Sequence, residues 1–256
     1  MIHQNDDEPK TLERSIAGIP LQVSSPTAAA THIAHLASTQ LLRGIGVHLI
    51  NAFSISLADR NTQYAEVLRR ADYNYPDGKP LTWVSMVGGP KLTQVRGPQF
   101  FNDVLDVGRG RDVKHFLLGG SEELLVKLER AIEARHPGAR VVGSFSPPFR
   151  QMSDEELKHQ DDLIRASGAD VVWVGLGTPK QDFEVDRLAS ALPVVACAVG
   201  AAFDFMSGMK KEAPRWLGTI GMEWLYRLLS EPRRLWRRYL IGNAVFIVAA
   251  LRPHRS

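Results

Sequence analysis

Residues 170–204 constrain this chain more than any other stretch. They read Asp-Val-Val-Trp-Val-Gly-Leu-Gly-Thr-Pro-Lys-Gln, then a helical segment, then Val-Val-Ala-Cys-Ala-Val-Gly-Ala-Ala-Phe-Asp. Each apolar run is short, β-branched and uninterrupted. That pattern belongs to a strand covered on both faces, as in a parallel sheet. Each run ends in glycine, at Gly175/Gly177 and at Gly200, where the backbone must approach something closely. Open α/β sheets bind ligands beyond the carboxyl ends of their strands. Residues 175–181 and 200–204 are therefore expected to line one pocket, with Gly177, Gln181 and Asp204 in it.

The same alternation extends through the chain. Gly46 to Ile50 is a strand ending at Asn51, and a helix is expected over 61–71. Lys114 to Leu118 is a strand followed by Gly119-Gly120-Ser121 and a helix to about Glu133. Val141 to Phe145 is a strand. Ser153 opens a helix to about Ala166, with Glu156 three residues on in a capping box. Strand–helix repetition at this spacing predicts one Rossmann-like α/β domain with a parallel sheet of about six strands. The expected divisions are a loose polar leader over 1–14, the core over 15–213 and a basic helical appendage over 214–256. A small hairpin is expected near Gly18 and Pro20.

Several motifs could carry chemistry. Gly119-Gly120-Ser121 precedes a helix, and helix N-termini favour anions. Glu122 and Glu123 fill that first turn, so capping, with ribose or base contact at Gly119, is favoured over a phosphate seat. No Gly-x-x-x-x-Gly-Lys-Ser/Thr occurs, and Gly175-Leu-Gly177 lacks the third glycine of the dinucleotide fingerprint. Pro76-Asp77-Gly78 is strong turn chemistry. Asp77 either closes that turn or is held on it as a base for a bound hydroxyl, and the segment alone leaves both open. A helix is expected to run from Leu81 to Val87 and stop at Gly88-Gly89-Pro90. His32 and His35 lie three apart on a helix, but zinc usually needs three or four protein ligands, so a surface helix is the better reading. The single cysteine, Cys197, sits in an apolar run and reads as a reduced core residue.

The net charge of +3 hides an asymmetry. Residues 209–256 hold ten Lys/Arg against three Asp/Glu, leaving 21 against 25 for residues 1–208. The tail therefore carries +7 and the rest −4. Arg227, Arg234 and Arg238 fall seven and four apart, beside Trp224, Leu228, Leu235 and Trp236. Such a stretch suits the headgroup region of an anionic membrane or a diphosphate. An amphipathic helix docked on the sheet with solvated arginines remains the alternative. The apolar run 244–251 is too short to span a bilayer. With no signal-peptide pattern in the polar first residues, the expectation is cytoplasmic, peripheral on the inner face of the plasma membrane. No aromatic–basic stacking platform argues for nucleic acid. The oligomeric state stays open, a homo-oligomer included.

These residues together resemble the WecG/TagA/CpsF family of bacterial glycosyltransferases. The matching stretches are Asn51-Ala52, Pro76-Asp-Gly78, Gly119-Gly-Ser121, residues 175–181, Val199 to Phe205, Ala213 to Trp216, and Glu223 to Arg238. The resemblance implies metal-independent, inverting transfer of a sugar from a UDP-sugar to a polyprenyl-diphosphate-linked sugar, with no cofactor. It implies Asp77 as base, Asn51, Gln181 and Asp204 near the nucleotide-sugar, and Arg227, Arg234 and Arg237 at the membrane and lipid diphosphate. Leu49 stands where members often have Thr. Gln94 stands where they have an active-site Arg, with Arg96 two residues on. Glu212 stands where they have Arg before Ala-Pro. These departures leave the donor open: N-acetylmannosamine or its uronic acid comes first, glucose or glucuronate second. The polymer is a cell-surface polysaccharide or teichoic acid. The chain has no Asp-x-Asp, the usual metal–diphosphate motif, so arginines are expected to neutralise the leaving UDP. Cutting at about Pro214 is expected to abolish turnover and leave a folded core. A nicotinamide-dependent oxidoreductase and a non-catalytic membrane scaffold are the rival readings.

Overall fold

A computed structural model describes residues 12–214, 217, 222–236 and 242–251, without the side chains of residues 223, 227, 234, 235, 244 and 251. Arg237, and the side chains of Arg227 and Arg234, therefore lie outside the described residues.

Among the described residues, eight strands form a two-stranded hairpin and a six-stranded sheet. The hairpin joins β1 (Glu13–Ile16) to β2 (Ile19–Gln22). The sheet contains β3 (Ile45–Ile50), β4 (Tyr73–Pro76), β5 (Lys114–Leu118), β6 (Arg140–Phe145), β7 (Val171–Val174) and β8 (Val195–Ala198), in the order β4-β3-β8-β7-β5-β6. All five pairings are parallel. This is the expected Rossmann-like sheet.

Helices cover both faces. Val47, Leu49, Leu117, Val171, Trp173, Val195 and Cys197 point to one face, where helices Pro26–Ala37, Gly97–Arg109 and Glu122–Arg135 pack. Phe116, Leu118, Val172, Val174, Ala196 and Ala198 point to the other, under helices Asp154–Ser167 and Lys180–Ala191. Alternate residues of each central strand are thus buried on opposite sides, and this explains why the runs show no polar alternation.

A third, smaller core sits at the β3/β4 end. It gathers the hairpin, helices Ala52–Ala58 and Thr62–Arg70, Leu81, Leu92 and Phe246 of the helix Gly242–Leu251. The last helix packs on Ala52–Ala58, with Phe246 2% and Ala249 1% exposed. The stretch beyond 213 thus contributes its last helix to a core. The apolar run at 244–251 is short because it covers a core face.

Two expectations need correction. The hairpin starts at Glu13, so residues 13 and 14 belong to a strand rather than a loose leader. Tyr73–Pro76 is an edge strand; its closing proline needs no ladder donor there. The helix expected to reach Val87 spans only Lys79–Val84. Beyond Ser85 the backbone tightens, with Met86 N donating to Trp83 O at 3.0 Å and Val87 N to Val84 O at 3.3 Å, and the left-handed Gly88 (φ 67°) turns the chain away. The Arg14 guanidinium donates to the carbonyls of Ser85 (3.0 Å), Val87 (2.9 Å), Pro90 (3.0 Å) and Gly88. The Ser85 hydroxyl, capping Thr82 O at 2.7 Å, accepts from Leu92 N at 2.9 Å.

Candidate active site

Register alone lines the candidate residues along one rim. Ile50 pairs with Pro76, so Asn51 and Asp77 follow neighbouring strands at one level. Val174 pairs with both Leu118 and Ala198. Gly119, Gly175 and Gly200 therefore all stand just past the carboxyl ends of the central strands. This is the edge where α/β sheets take ligands.

Asp77 is fixed by backbone. Its N–H donates to Ile50 O at 2.6 Å, and its Oδ1 accepts from Gly97 N at 3.4 Å. Gly97 is the hinge of the site. A methyl there would stand 3.3 Å from Leu49, 3.4 Å from the Val199 carbonyl and 3.9 Å from Asp77 Oδ2. One residue without a side chain thus brings the Asp77 carboxylate up to the end of β8. Across that end, a methyl at Gly200 would stand 3.6 Å from both Gln181 amide atoms. Gln181 is 4% exposed, and its Oε1 accepts from Gly177 N at 3.0 Å. Gly177 (φ 76°) and Gly200 (φ 55°) hold left-handed backbone that a side chain would strain. Gln181 therefore clasps the two glycine loops together, and Asp77 lies one backbone layer away.

Gly119 and Gly175 answer to the chain itself. A methyl at Gly119 would sit 2.8 Å from the Gly175 carbonyl carbon, and one at Gly175 would sit 2.5 Å from the Phe203 ring. The close approach foreseen at these strand ends is met by protein atoms. Ser121 caps its helix by accepting from Leu124 N at 3.2 Å, as expected.

Asn51 carries a role the sequence reading passed over. Its Oδ1 accepts from Phe53 N (3.0 Å) and Ser54 N (3.3 Å), capping helix Ala52–Ala58. What Asn51 can offer a ligand is its amide donor. Asp204 lies in the short helix Ala202–Met206, and its Oδ2 accepts from Lys210 Nζ at 3.1 Å. Lys210 also reaches Glu231 at 3.2 Å, tying the tail to the rim. Arg96, beside Gly97, donates to Glu212 Oε1 at 2.7 Å. Two positions where this sequence departs from the family pattern thus face each other as an ion pair.

Beneath the site lies a buried cluster that the sequence did not announce. His48 Nδ1 is 3.0 Å from Asp182 Oδ1, and the Tyr64 hydroxyl donates to Asp182 Oδ2 at 3.0 Å. All three are at most 1% exposed. The cluster pins the first turn of helix Lys180–Ala191, and with it Gln181, to β3 and to helix Thr62–Arg70. Its only sequence trace is Asp182, which reads as an ordinary first-turn carboxylate. Elsewhere, burial pushes the Cys197 thiol well up, and burial holds His115 down at about 4. Cys197 thus has the protonated, apolar surroundings of a core residue. His32 packs edge-on to Tyr73 at 5.0 Å.

A Rossmann-like domain whose strand-end loops gather a carboxylate, an amide and paired cations at one rim is the frame of a nucleotide-sugar-dependent transferase. A profile of the glycosyl transferase WecG/TagA/CpsF family matches residues 14–256. The chain belongs to that family and is a hexosyltransferase. It is similar to the N-acetylglucosaminyldiphosphoundecaprenol N-acetyl-beta-D-mannosaminyltransferase of Bacillus spizizenii, 31% identical over 231 residues, covering 88% of this chain and 86% of the relative. No helix of the described residues is long and apolar enough to cross a membrane.

Proposed function

We propose that the protein moves N-acetylmannosamine, or its uronic acid, from the UDP-sugar to a sugar on a polyprenyl diphosphate, with inversion and without a metal. The relative's activity supports the donor and acceptor classes. The observation that carries the mechanism is the continuous path Asp77–Gly97–Val199/Gly200–Gln181. Along it a carboxylate and a clasped pair of glycine loops share one rim of the sheet, which supports the reading.

The acceptor hydroxyl is a poor nucleophile at neutral pH. Its oxygen attacks the anomeric carbon of the donor from the face opposite UDP. A bond forms from that oxygen to the anomeric carbon as the bond to the UDP oxygen breaks, and the electron pair leaves with UDP. Asp77 takes the hydroxyl proton as attack proceeds, a contribution of about 10²–10⁴-fold. Asn51, Gln181 and Asp204 lie toward the nucleotide-sugar, Asn51 through its amide donor, with Arg96 and the Gly119 and Gly177 loops around them. Arg227, Arg234 and Arg237 neutralise diphosphate charge from the tail, which closes over the cleft when the membrane is engaged. The enzyme works in the cytoplasm, peripheral on the inner face of the plasma membrane, where anionic lipid attracts the basic tail.

The experiment is a panel of UDP-sugars with a polyprenyl-diphosphate-linked N-acetylglucosamine acceptor, with and without EDTA. Transfer from UDP-N-acetylmannosamine or its uronic acid, unchanged by EDTA, is expected. Transfer only from UDP-glucose or UDP-glucuronate would move the protein to exopolysaccharide synthesis. Loss of all transfer in EDTA would overturn the metal-free mechanism.

A further inference from the structure

The end of helix Lys79–Val84 and the turn after it hold apolar side chains in solvent. Trp83 is 50%, Met86 68% and Val87 82% exposed. Three large apolar groups within five residues, all facing out, are unusual on a water-facing surface. They are not the frayed end of a helix. Leu81 and Leu92, 0% and 5% exposed, root the segment in the small core, and the Arg14 guanidinium ties four of the carbonyls between 85 and 90. The exposure is therefore fixed by the fold.

We propose that this turn is a membrane-contacting prong, which seats the Asp77 side of the cleft on an anionic bilayer. The inference rests on the proposed lipid-linked acceptor and adds a contact that the basic tail does not supply. Charge is the first argument. From Gly78 to Asn102 the chain holds Lys79, Lys91 and Arg96 and no carboxylate. Arg96 is paired with Glu212, which leaves Lys79 and Lys91 flanking the apolar tip. Apolar tips flanked by lysine suit the headgroup boundary of anionic lipid, and tryptophan concentrates there. Place is the second argument. Only four residues separate Gly78 from Trp83, so a tip seated in the headgroups holds Asp77 near the acceptor's diphosphate. Continuity is the third. The core that roots Leu81 and Leu92 also holds Phe246, whose helix neighbours Ile247 and Val248 are 53% and 52% exposed. A second copy of the chain suits the turn less well. A two-fold contact would oppose lysine to lysine with no carboxylate in the segment to relieve them.

The test uses the full chain with vesicles of phosphatidylglycerol and phosphatidylcholine. The variant W83S/M86S/V87S replaces exposed side chains only, and its melting temperature checks the fold. Vesicle affinity is expected to fall about thirtyfold, from partial burial of three apolar groups. Turnover of a short-chain, water-soluble acceptor diphosphate is expected to stay unchanged. As a second reading, quenching of tryptophan emission by brominated lipid should fall in Trp83→Phe. Equal vesicle binding by variant and parent, with the parent active on lipid-linked acceptor, sinks the prong and leaves the proposed function standing. A parent that neither binds vesicles nor uses a lipid-linked acceptor sinks both. A parent dimer that the variant loses, with vesicle affinity unchanged, assigns the turn to self-association and overturns the inference.

Discussion

Asp77 owes its place at the rim to where its backbone is fastened. In the sequence it is one aspartate of a Pro-Asp-Gly turn, and turn closure explains it as well as catalysis does. The fold fastens Asp77 at two points. Its N–H is fixed to the end of β3 and its carboxylate stands over Gly97, within reach of the end of β8. Asp77→Asn keeps the shape and an acceptor oxygen for the Gly97 N–H while removing the base. The expected result is a kcat lower by about 10²–10⁴-fold. Donor KM and melting temperature should barely change. Steady-state transfer assays with a thermal melt check this, and unchanged turnover would return Asp77 to a structural turn. Gly97 was not legible as a site residue, because its requirement comes from three chain segments distant in sequence. The Arg96–Glu212 pair was hidden for the same reason: the residues lie far apart and only the rim unites them.

At the scale of elements, the central strands were legible because burial on both faces leaves unbroken β-branched runs. β3, β5, β7 and β8 fall within a residue or so of the expected positions. The capping box at Ser153 also stands where local rules put it. β4 is hard to delimit from the sequence, because the Pro-Asp-Gly signal next to it outweighs a four-residue edge strand containing Asn74. Asn74 is buried instead by donating to Leu68 O at 2.6 Å. Helix Ala52–Ala58 was missed because Ser54 and Ser56, both buried, break its apolar periodicity. The strand-end loops carry the element-scale prediction. Gly175→Ala puts a methyl 2.5 Å from the Phe203 ring, tighter than real contacts allow. Overpacking of this kind costs about 1–3 kcal/mol. Because the displaced loop holds Gly177 against Gln181, donor KM should rise together with the fall in melting temperature. A variant that loses stability with donor KM unchanged would show that the loop does not hold the nucleotide-sugar.

For the whole molecule, the charge boundary near residue 209 does not coincide with a packing boundary. The +7 tail looked separable because charge and composition change there, yet its last helix closes the core shared by Ile50, Ile55, Leu68 and Leu81. Two kinds of damage to the tail should therefore differ. Cutting at Pro214 removes Phe246 from that core, and losing a buried phenylalanine side chain costs about 3–5 kcal/mol. The truncated chain should be inactive and melt well below the parent. Changing Arg227, Arg234 and Arg237 together to Gln removes three positive charges and keeps polar side chains. Where such arginines are solvated, changes of that sort usually stay within about 0.5 kcal/mol each. That variant should melt close to the parent, yet lose vesicle binding and turnover of membrane-embedded acceptor, and the parent's own vesicle binding should weaken as salt is raised. If the truncated chain keeps the parent's melting temperature, the last helix is not part of the fold's closure, and the tail is an appendage in the full sense after all.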